Sequence, residues 1–216
     1  MTTPSFIEDI EVRDVQIAGE SDWHWIKSDV GGFGDRTDGP MRDWLDGHSY
    51  KYFKYLRDTD TIVTGGGCCG MHIRFYAKRF KTVIAFEPDP RSFHCMVNNA
   101  PYDNVIKLNA AIGRESGMTR IGRRSEQNIG MNGIDPNGPI LVPILPIDSL
   151  RLDACSLIQL DVEGYEQEAL LGALETIQKF KPVIVAERYR NDTFMQSLGY
   201  QFADTSFMDN IYVPVH

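Results

Sequence analysis

Five short apolar runs between residues 61 and 186 constrain the fold of this chain more than any other feature. They are Thr61–Thr64, Thr82–Phe86, Val105–Leu108, Leu157–Leu160 and Val183–Ala186. Several are rich in valine and isoleucine and polar only at their ends, which is the pattern of strands covered on both faces. Between them stand helix-like stretches, Met71–Lys78, Arg91–Asn99 and Tyr165–Phe180. In the last, Leu170, Leu171, Leu174, Ile177 and Phe180 fall at helical spacing. Strand and helix in regular alternation predict an α/β fold built on a doubly wound, mostly parallel sheet. Thr119–Ile121 and Ile140–Leu145 read as extra strands flanking a polar loop, Gly122 to Pro139. Tyr200–Ala203 and Asn210–Val215 read as a closing antiparallel pair.

The alternation begins only after about residue 57. At 216 residues and 24.5 kDa the chain suits one domain with an appendage. We divide it into an N-terminal extension, 1–57, and a sheet domain, 58–216. The extension holds a Gly-rich loop, Gly31 to Pro40, and a helical pattern over Met41 to Leu56. Trp23-His24-Trp25 either lids a substrate or anchors the extension in the core. A net charge of −8 disfavours general nucleic-acid binding, which draws on Lys and Arg. No long apolar run or signal-like N-terminus appears, so a cytoplasmic protein without a membrane partner is expected. Four cysteines, at 68, 69, 95 and 155, do not form a disulfide framework. A homo-oligomer is compatible with the sequence.

Where the first strand hands over to the first helix stands Thr64-Gly65-Gly66-Gly67-Cys68-Cys69-Gly70. Bare backbone there lets a nucleoside or phosphate approach closely, and Gly65-x-Gly67-x-x-Gly70 matches the dinucleotide fingerprint. The second strand ends in Glu87-Pro88-Asp89, and an acid at that place accepts hydrogen bonds from both hydroxyls of a ribose. Together these imply an adenosine cofactor, either NAD or S-adenosylmethionine. The chain after Gly70 suffices to finish one sheet and leaves no second substrate domain, which favours S-adenosylmethionine. A third element, Leu157-Ile158-Gln159-Leu160-Asp161-Val162-Glu163-Gly164, delivers Asp161 to the carboxyl edge of the sheet. Asp161 is the first candidate for a general base, or else it holds the cofactor or caps the next helix. An ordinary aspartate is too acidic for that task, so burial would have to raise its pKa.

Four stretches resemble, in order, the motifs of the FkbM-type methyltransferases, a family of class I S-adenosylmethionine-dependent enzymes. They are Ala85–Asp89, Asn109–Gly113, Asp161–Glu166 and Pro182–Glu187. The resemblance spans about residues 60 to 187 and implies a seven-stranded sheet whose last strand is antiparallel. It implies O-methylation of a hydroxyl, often on a sugar or natural product, so the expected partner is a small-molecule or glycan acceptor. Aromatic N-terminal extensions like this one occur in viral relatives. The cofactor-binding set it implies is Thr64, Gly65, Gly66, Gly67, Cys68, Gly70, Met71, Glu87, Pro88, Asn109, Ala110 and Asp161. The catalytic set is Asp161, with Glu163 and Glu187 orienting substrate. Where the family has an acid and an asparagine, this chain has Thr64 and Cys68, so Thr64 would meet the cofactor's ammonium with a hydroxyl in place of a charge.

No metal is assigned. Asp161 and Glu187 could hold Mg²⁺, although no tight acidic cluster is visible in the sequence. Cys68, Cys69, His72, His94 and Cys95 lack zinc spacing. His72 reads as a surface histidine or a contact to the cofactor carboxylate. Arg123 and Arg124 bind an anionic substrate group or belong to a solvated loop. The rival readings are an NAD-dependent oxidoreductase and a non-catalytic cofactor-binding protein of the same fold.

Overall fold

A strand whose every residue is apolar must find cover on both faces, and here the sheet provides it. The computed structural model describes residues 6–14, 21–29 and 51–215. In chain order the strands begin with β1 (Ile10–Arg13), β2 (Trp23–Ile26), β3 (Thr61–Gly65), β4 (Thr82–Phe86) and β5 (Val105–Leu108). Next come β6 (Ala111–Ile112), β7 (Gly117–Gly122), β8 (Gly133–Ile134) and β9 (Ile140–Leu145). The last are β10 (Leu157–Leu160), β11 (Val183–Glu187), β12 (Tyr200–Ser206) and β13 (Asp209–Pro214). The helices whose whole span is described are α1 (Met71–Ala77), α2 (Pro90–Asn99), α3 (Glu166–Leu171), α4 (Leu174–Phe180) and α5 (Asp192–Ser197).

The main sheet has seven strands in the order β12-β13-β11-β10-β3-β4-β5. Its centre is parallel, and β13 enters antiparallel between β11 and β12. Alternate residues of each central strand supply two separate cores. Val63, Ile84, Ile158 and Ile184 join one with Leu170 and Ile177, whereas Ile62, Val83, Leu157 and Val183 join the other with Ile73 and Tyr76. The expected fold class is therefore the observed one, down to the antiparallel strand. That inserted strand also departs from the all-parallel dinucleotide-binding sheet.

Three features differ from expectation. The flanking strands β6 to β9 form their own four-stranded sheet in the order β6-β9-β7-β8. The expected helix Tyr165–Phe180 is two helices broken at Gly172-Ala173. A Cβ on Gly172 would lie 2.0 Å from the Gly113 carbonyl oxygen, so the chain passes too close there for a side chain. Asp148 donates its N–H to the Gly172 carbonyl and accepts the N–H groups of Glu175 and Thr176 at 2.9 and 2.8 Å, capping the second helix from outside. Thirdly, residues 10–26 contain a β1–β2 antiparallel hairpin.

Trp23 and Trp25 lie in the core with Cys69, Cys95 and Ile129, each tryptophan 2% exposed, so they anchor the hairpin and do not form a lid. Asn99 ties this together. It accepts the His24 N–H at 2.7 Å and donates to the carbonyls of His24 and Cys69 at 2.8 and 2.7 Å. The Gly31–Pro40 loop and residues 41–50 of the expected helix lie outside the described residues. Among the described residues, no helix is long and apolar enough to cross a membrane.

Candidate active site

The glycine turn is built first by the protein's own packing. Gly66 adopts φ 84°, and a Cβ there would sit 1.9 Å from the Asp161 carbonyl oxygen. Only glycine tolerates both demands. Gly70, also left-handed, lies so close to α2 that a Cβ would be 2.9 Å from Met96 Cα, and one on Gly67 would be 2.6 Å from Met96 Sδ. The missing side chains make room first for the chain itself, while Gly65 and Gly66 also line the cleft. The payoff is position. Gly65 accepts the Asp161 N–H through its carbonyl at 3.0 Å, holding the ends of β3 and β10 side by side.

A cleft opens at this edge, with about 620 Å³ of unfilled space, part of it open to solvent. Of the sequence-predicted cofactor residues, Gly65, Gly66, Cys68, Glu87, Pro88, Ala110 and Asp161 line it. Thr64, Gly67, Gly70, Met71 and Asn109 do not. Thr64 is buried and gives its hydroxyl to Gln159 Oε1, its register neighbour on β10. Its role is therefore to satisfy a polar side chain inside the sheet. Asn109 donates to the Glu87 and Pro88 carbonyls at 2.8 and 3.1 Å and so braces the turn that carries Glu87. Met71 packs against the tryptophan core.

Glu87 is 7% exposed and accepts the N–H groups of Cys68 at 2.6 Å and Asp89 at 2.8 Å. Burial pushes its carboxyl up to about 8, with the nearby Asp89 adding to the rise and the two backbone donors opposing it. Cys68 itself has φ 44° and partly lines the cleft, while its neighbour Cys69 is buried.

At the other end of the cleft the sheet gathers carboxylates. Oxygens of Asp161, Glu163 and Glu187 all lie within 4.8 Å of one another, a cluster that adjacent positions in the sequence do not reveal. Asp161 directly follows β10 and Glu187 ends β11, the neighbouring strand, so parallel register brings them together. Burial pushes Asp161 well above the usual carboxylate range, and the charge and hydrogen bond of Glu187 add to it. Burial and Glu187 raise Glu163 as well, against the pull of Arg124. Asp209, on β13 opposite Glu187, rises to about 7 through burial and the same neighbour.

Sequence reasoning missed the residues that hold this edge in place. Glu166 is 5% exposed and accepts the N–H groups of Val162 and Gly164, fixing the turn in which Glu163 stands at φ 54°. An acid in the first turn of a helix was the available signal. Arg124 donates to the Glu163 carbonyl, and Arg123 to Asp89 Oδ2, so both arginines brace the site's own residues. Ile129, Gly130, Asn132, Gly133 and Ile134, from the polar loop and β8, also line the cleft.

A family model described as the methyltransferase FkbM domain matches residues 68–211. The chain belongs to the FkbM methyltransferase family. The FkbM methyltransferase structure from Methylobacillus flagellatus KT is 20% identical, with a TM-score of 0.55. The match covers 76% of this chain and 46% of that one, so the chain spans about half the length of that relative. A putative RNA methyltransferase from Pyrococcus horikoshii is 9% identical over 82% of this chain and 87% of its own, with a TM-score of 0.48. A putative methyltransferase from Streptococcus mutans, solved in complex with SAH, is 9% identical over 81% and 96%, with a TM-score of 0.41. No curated protein matches the chain. Membership of the FkbM family, together with the antiparallel β13, replaces the oxidoreductase reading.

Proposed function

We propose that this FkbM protein binds S-adenosylmethionine in the cleft between β3 and β4 and methylates a hydroxyl of a small molecule or glycan. The observation that carries the reading is the gathering of Asp161, Glu163 and Glu187, with oxygens within 4.8 Å of one another, where Asp161 lines the cleft. The residues fit the cofactor. Glu87 offers acceptor oxygens for ribose hydroxyls, and Pro88 and Ala110 offer apolar surface for a base. When bound, S-adenosylmethionine supplies a methyl group activated by its sulfonium. Asp161 in its ionised form then accepts the acceptor's hydroxyl proton, and its raised pKa makes it a better base than a solvated aspartate. Glu187 and Glu163 orient the acceptor and keep Asp161 basic by repulsion.

The test combines titration calorimetry with S-adenosylhomocysteine and transfer of labelled methyl groups to a panel of mono- and oligosaccharides. Asp161→Asn should keep cofactor binding and lose transfer by at least about a hundredfold. Full activity in that variant, or binding of NAD without S-adenosylhomocysteine, sinks the proposal. The close oxygen set of Asp161, Glu163 and Glu187 favours a second reading, in which they hold a divalent cation. Transfer that depends on added Mg²⁺ would make Asp161 a ligand in place of the base.

A further inference from the structure

Three cysteines whose thiols the proposed reaction leaves idle converge behind the glycine turn. Cys69, in the turn, and Cys95, on α2, are both fully buried in the cluster that holds Trp23 and Trp25, and Cys68 packs against the same cluster. The backbone fixes this meeting. Asn99 stands one helical turn after Cys95 on the same face of α2 and donates to the Cys69 carbonyl at 2.7 Å. Gly70, next to Cys69, lies against Met96, next to Cys95, so closely that a Cβ would be 2.9 Å from Met96 Cα. The Cys69 thiol accordingly interacts with the thiols of both Cys68 and Cys95. Of the three, Cys68 alone lines the cleft, so the thiols run from the cleft wall into the core.

Each sulfur then has a different task. A peroxide entering the cleft meets Cys68 first, since the other two residues have no exposed surface. The O–O bond breaks, one oxygen joins the Cys68 sulfur as a sulfenic acid, and water leaves. The Cys69 sulfur attacks that of Cys68, an S–S bond replaces the S–O bond, and the Cys69 proton leaves with the hydroxyl as water. This first disulfide is strained, because adjacent Cα atoms lie about 3.8 Å apart and disulfides usually span at least about 4.4 Å. Cys95 therefore attacks Cys69 and takes over the bond, and its proton returns to the Cys68 sulfur. In sum one peroxide is reduced to two waters, and Cys69 and Cys95 are oxidised by two electrons. Burial pushes the Cys69 thiol up, so the relay depends on the closeness of its partners and not on a ready thiolate.

We infer that Cys68, Cys69 and Cys95 form a peroxide-sensing relay, in which Cys68 takes up the oxidant at the cleft and a Cys69–Cys95 disulfide stores the oxidation. The Cys68 N–H is one of the two backbone donors on Glu87, at 2.6 Å, so a covalent tie between the turn and α2 acts on the cleft. That consequence rests on the proposed cofactor, whereas the thiol chemistry does not.

The experiment treats the full chain with hydrogen peroxide, follows its intact mass before and after dithiothreitol, and maps the linked peptides. Wild type should lose about 2 Da, yield a peptide joining Cys69 to Cys95, and regain its mass with dithiothreitol. Cys68→Ser should form that disulfide at least about tenfold more slowly, and Cys69→Ala should gain oxygen in its place. Oxidised wild type should bind S-adenosylhomocysteine at least about threefold more weakly in titration calorimetry, with dithiothreitol restoring the affinity. Wild type that gains oxygen without a linked peptide overturns the inference, and this needs no variant to fold. An equal rate in Cys68→Ser overturns it too. Unchanged affinity after full oxidation overturns the link to the cleft. A Cys69–Cys95 peptide from protein that binds no S-adenosylhomocysteine sustains the relay and overturns the cofactor assignment alone.

Discussion

Burial pushes the Glu87 carboxyl up to about 8, yet its proposed task is to accept hydrogen bonds from a ribose. Both of its oxygens already accept a backbone N–H, so only the ionised carboxylate keeps a lone pair on each oxygen for the two ribose hydroxyls. Below pH 8 cofactor binding must expel the proton. Apparent affinity for S-adenosylhomocysteine should therefore fall about tenfold for each pH unit below 8, a total of roughly a hundredfold, or about 2.7 kcal/mol, between pH 9 and pH 6. Calorimetry in two buffers of different ionisation enthalpy should record close to one proton released per cofactor at pH 6. Glu87→Gln should flatten this dependence and weaken binding at pH 9, because its amide nitrogen would face one of the two backbone donors. Stability carries the same signature. The folded pKa lies above the ordinary 4.5, so the contribution is full below pH 4.5 and declines as pH rises through 8. The shift corresponds to about 5 kcal/mol at most, and the glutamine variant should remove the slope. Equal affinities at pH 6 and pH 9, with no proton release, would refute the reasoning.

Three further outcomes are expected. Gly66→Ala forces a side chain into the left-handed region and onto the Asp161 carbonyl, so denaturant titration should show a loss of at least about 2 kcal/mol. Asp148→Ala removes the cap on Glu175 and Thr176 and should cost about 1 kcal/mol by the same method, without touching the cleft. Asp209→Asn removes a carboxyl whose folded pKa is raised to about 7, so the wild-type group destabilises the fold as pH climbs through that value. The variant should melt at a higher temperature than wild type at pH 8, by up to about 4 kcal/mol in stability, and show little gain at pH 4.

Much of the fold was legible because it depends on local pattern. The runs at 61–64, 82–86 and 157–160 have alternate residues feeding two cores, and a chain reads that way only when both faces are covered. The break at Gly172 was not legible, since this glycine packs against the Gly113 carbonyl, nearly sixty residues away. Thr64 shows the same limit from the other side. In sequence it stands where the family's acid contacts the cofactor, but register places it against Gln159, and the hydroxyl is used there. Trp23 and Trp25 could anchor or cover; burial against Cys69 and Cys95 settled the matter.

The sequence by itself determined the α/β class, the motif order and the residue types at the sheet edge, because periodicity and turn chemistry act over a few residues. Tertiary structure alone decided which of those residues meet. Asp161 and Glu187 lie 26 positions apart in sequence, yet adjacent parallel strands end them at one edge, where shared burial raises the proton affinity of Asp161. Asn132 meets Asp89 only because the loop between β7 and β8 folds back over α2. Burial and charge proximity depend on where distant segments come to rest, and that is set by the packing of the whole sheet.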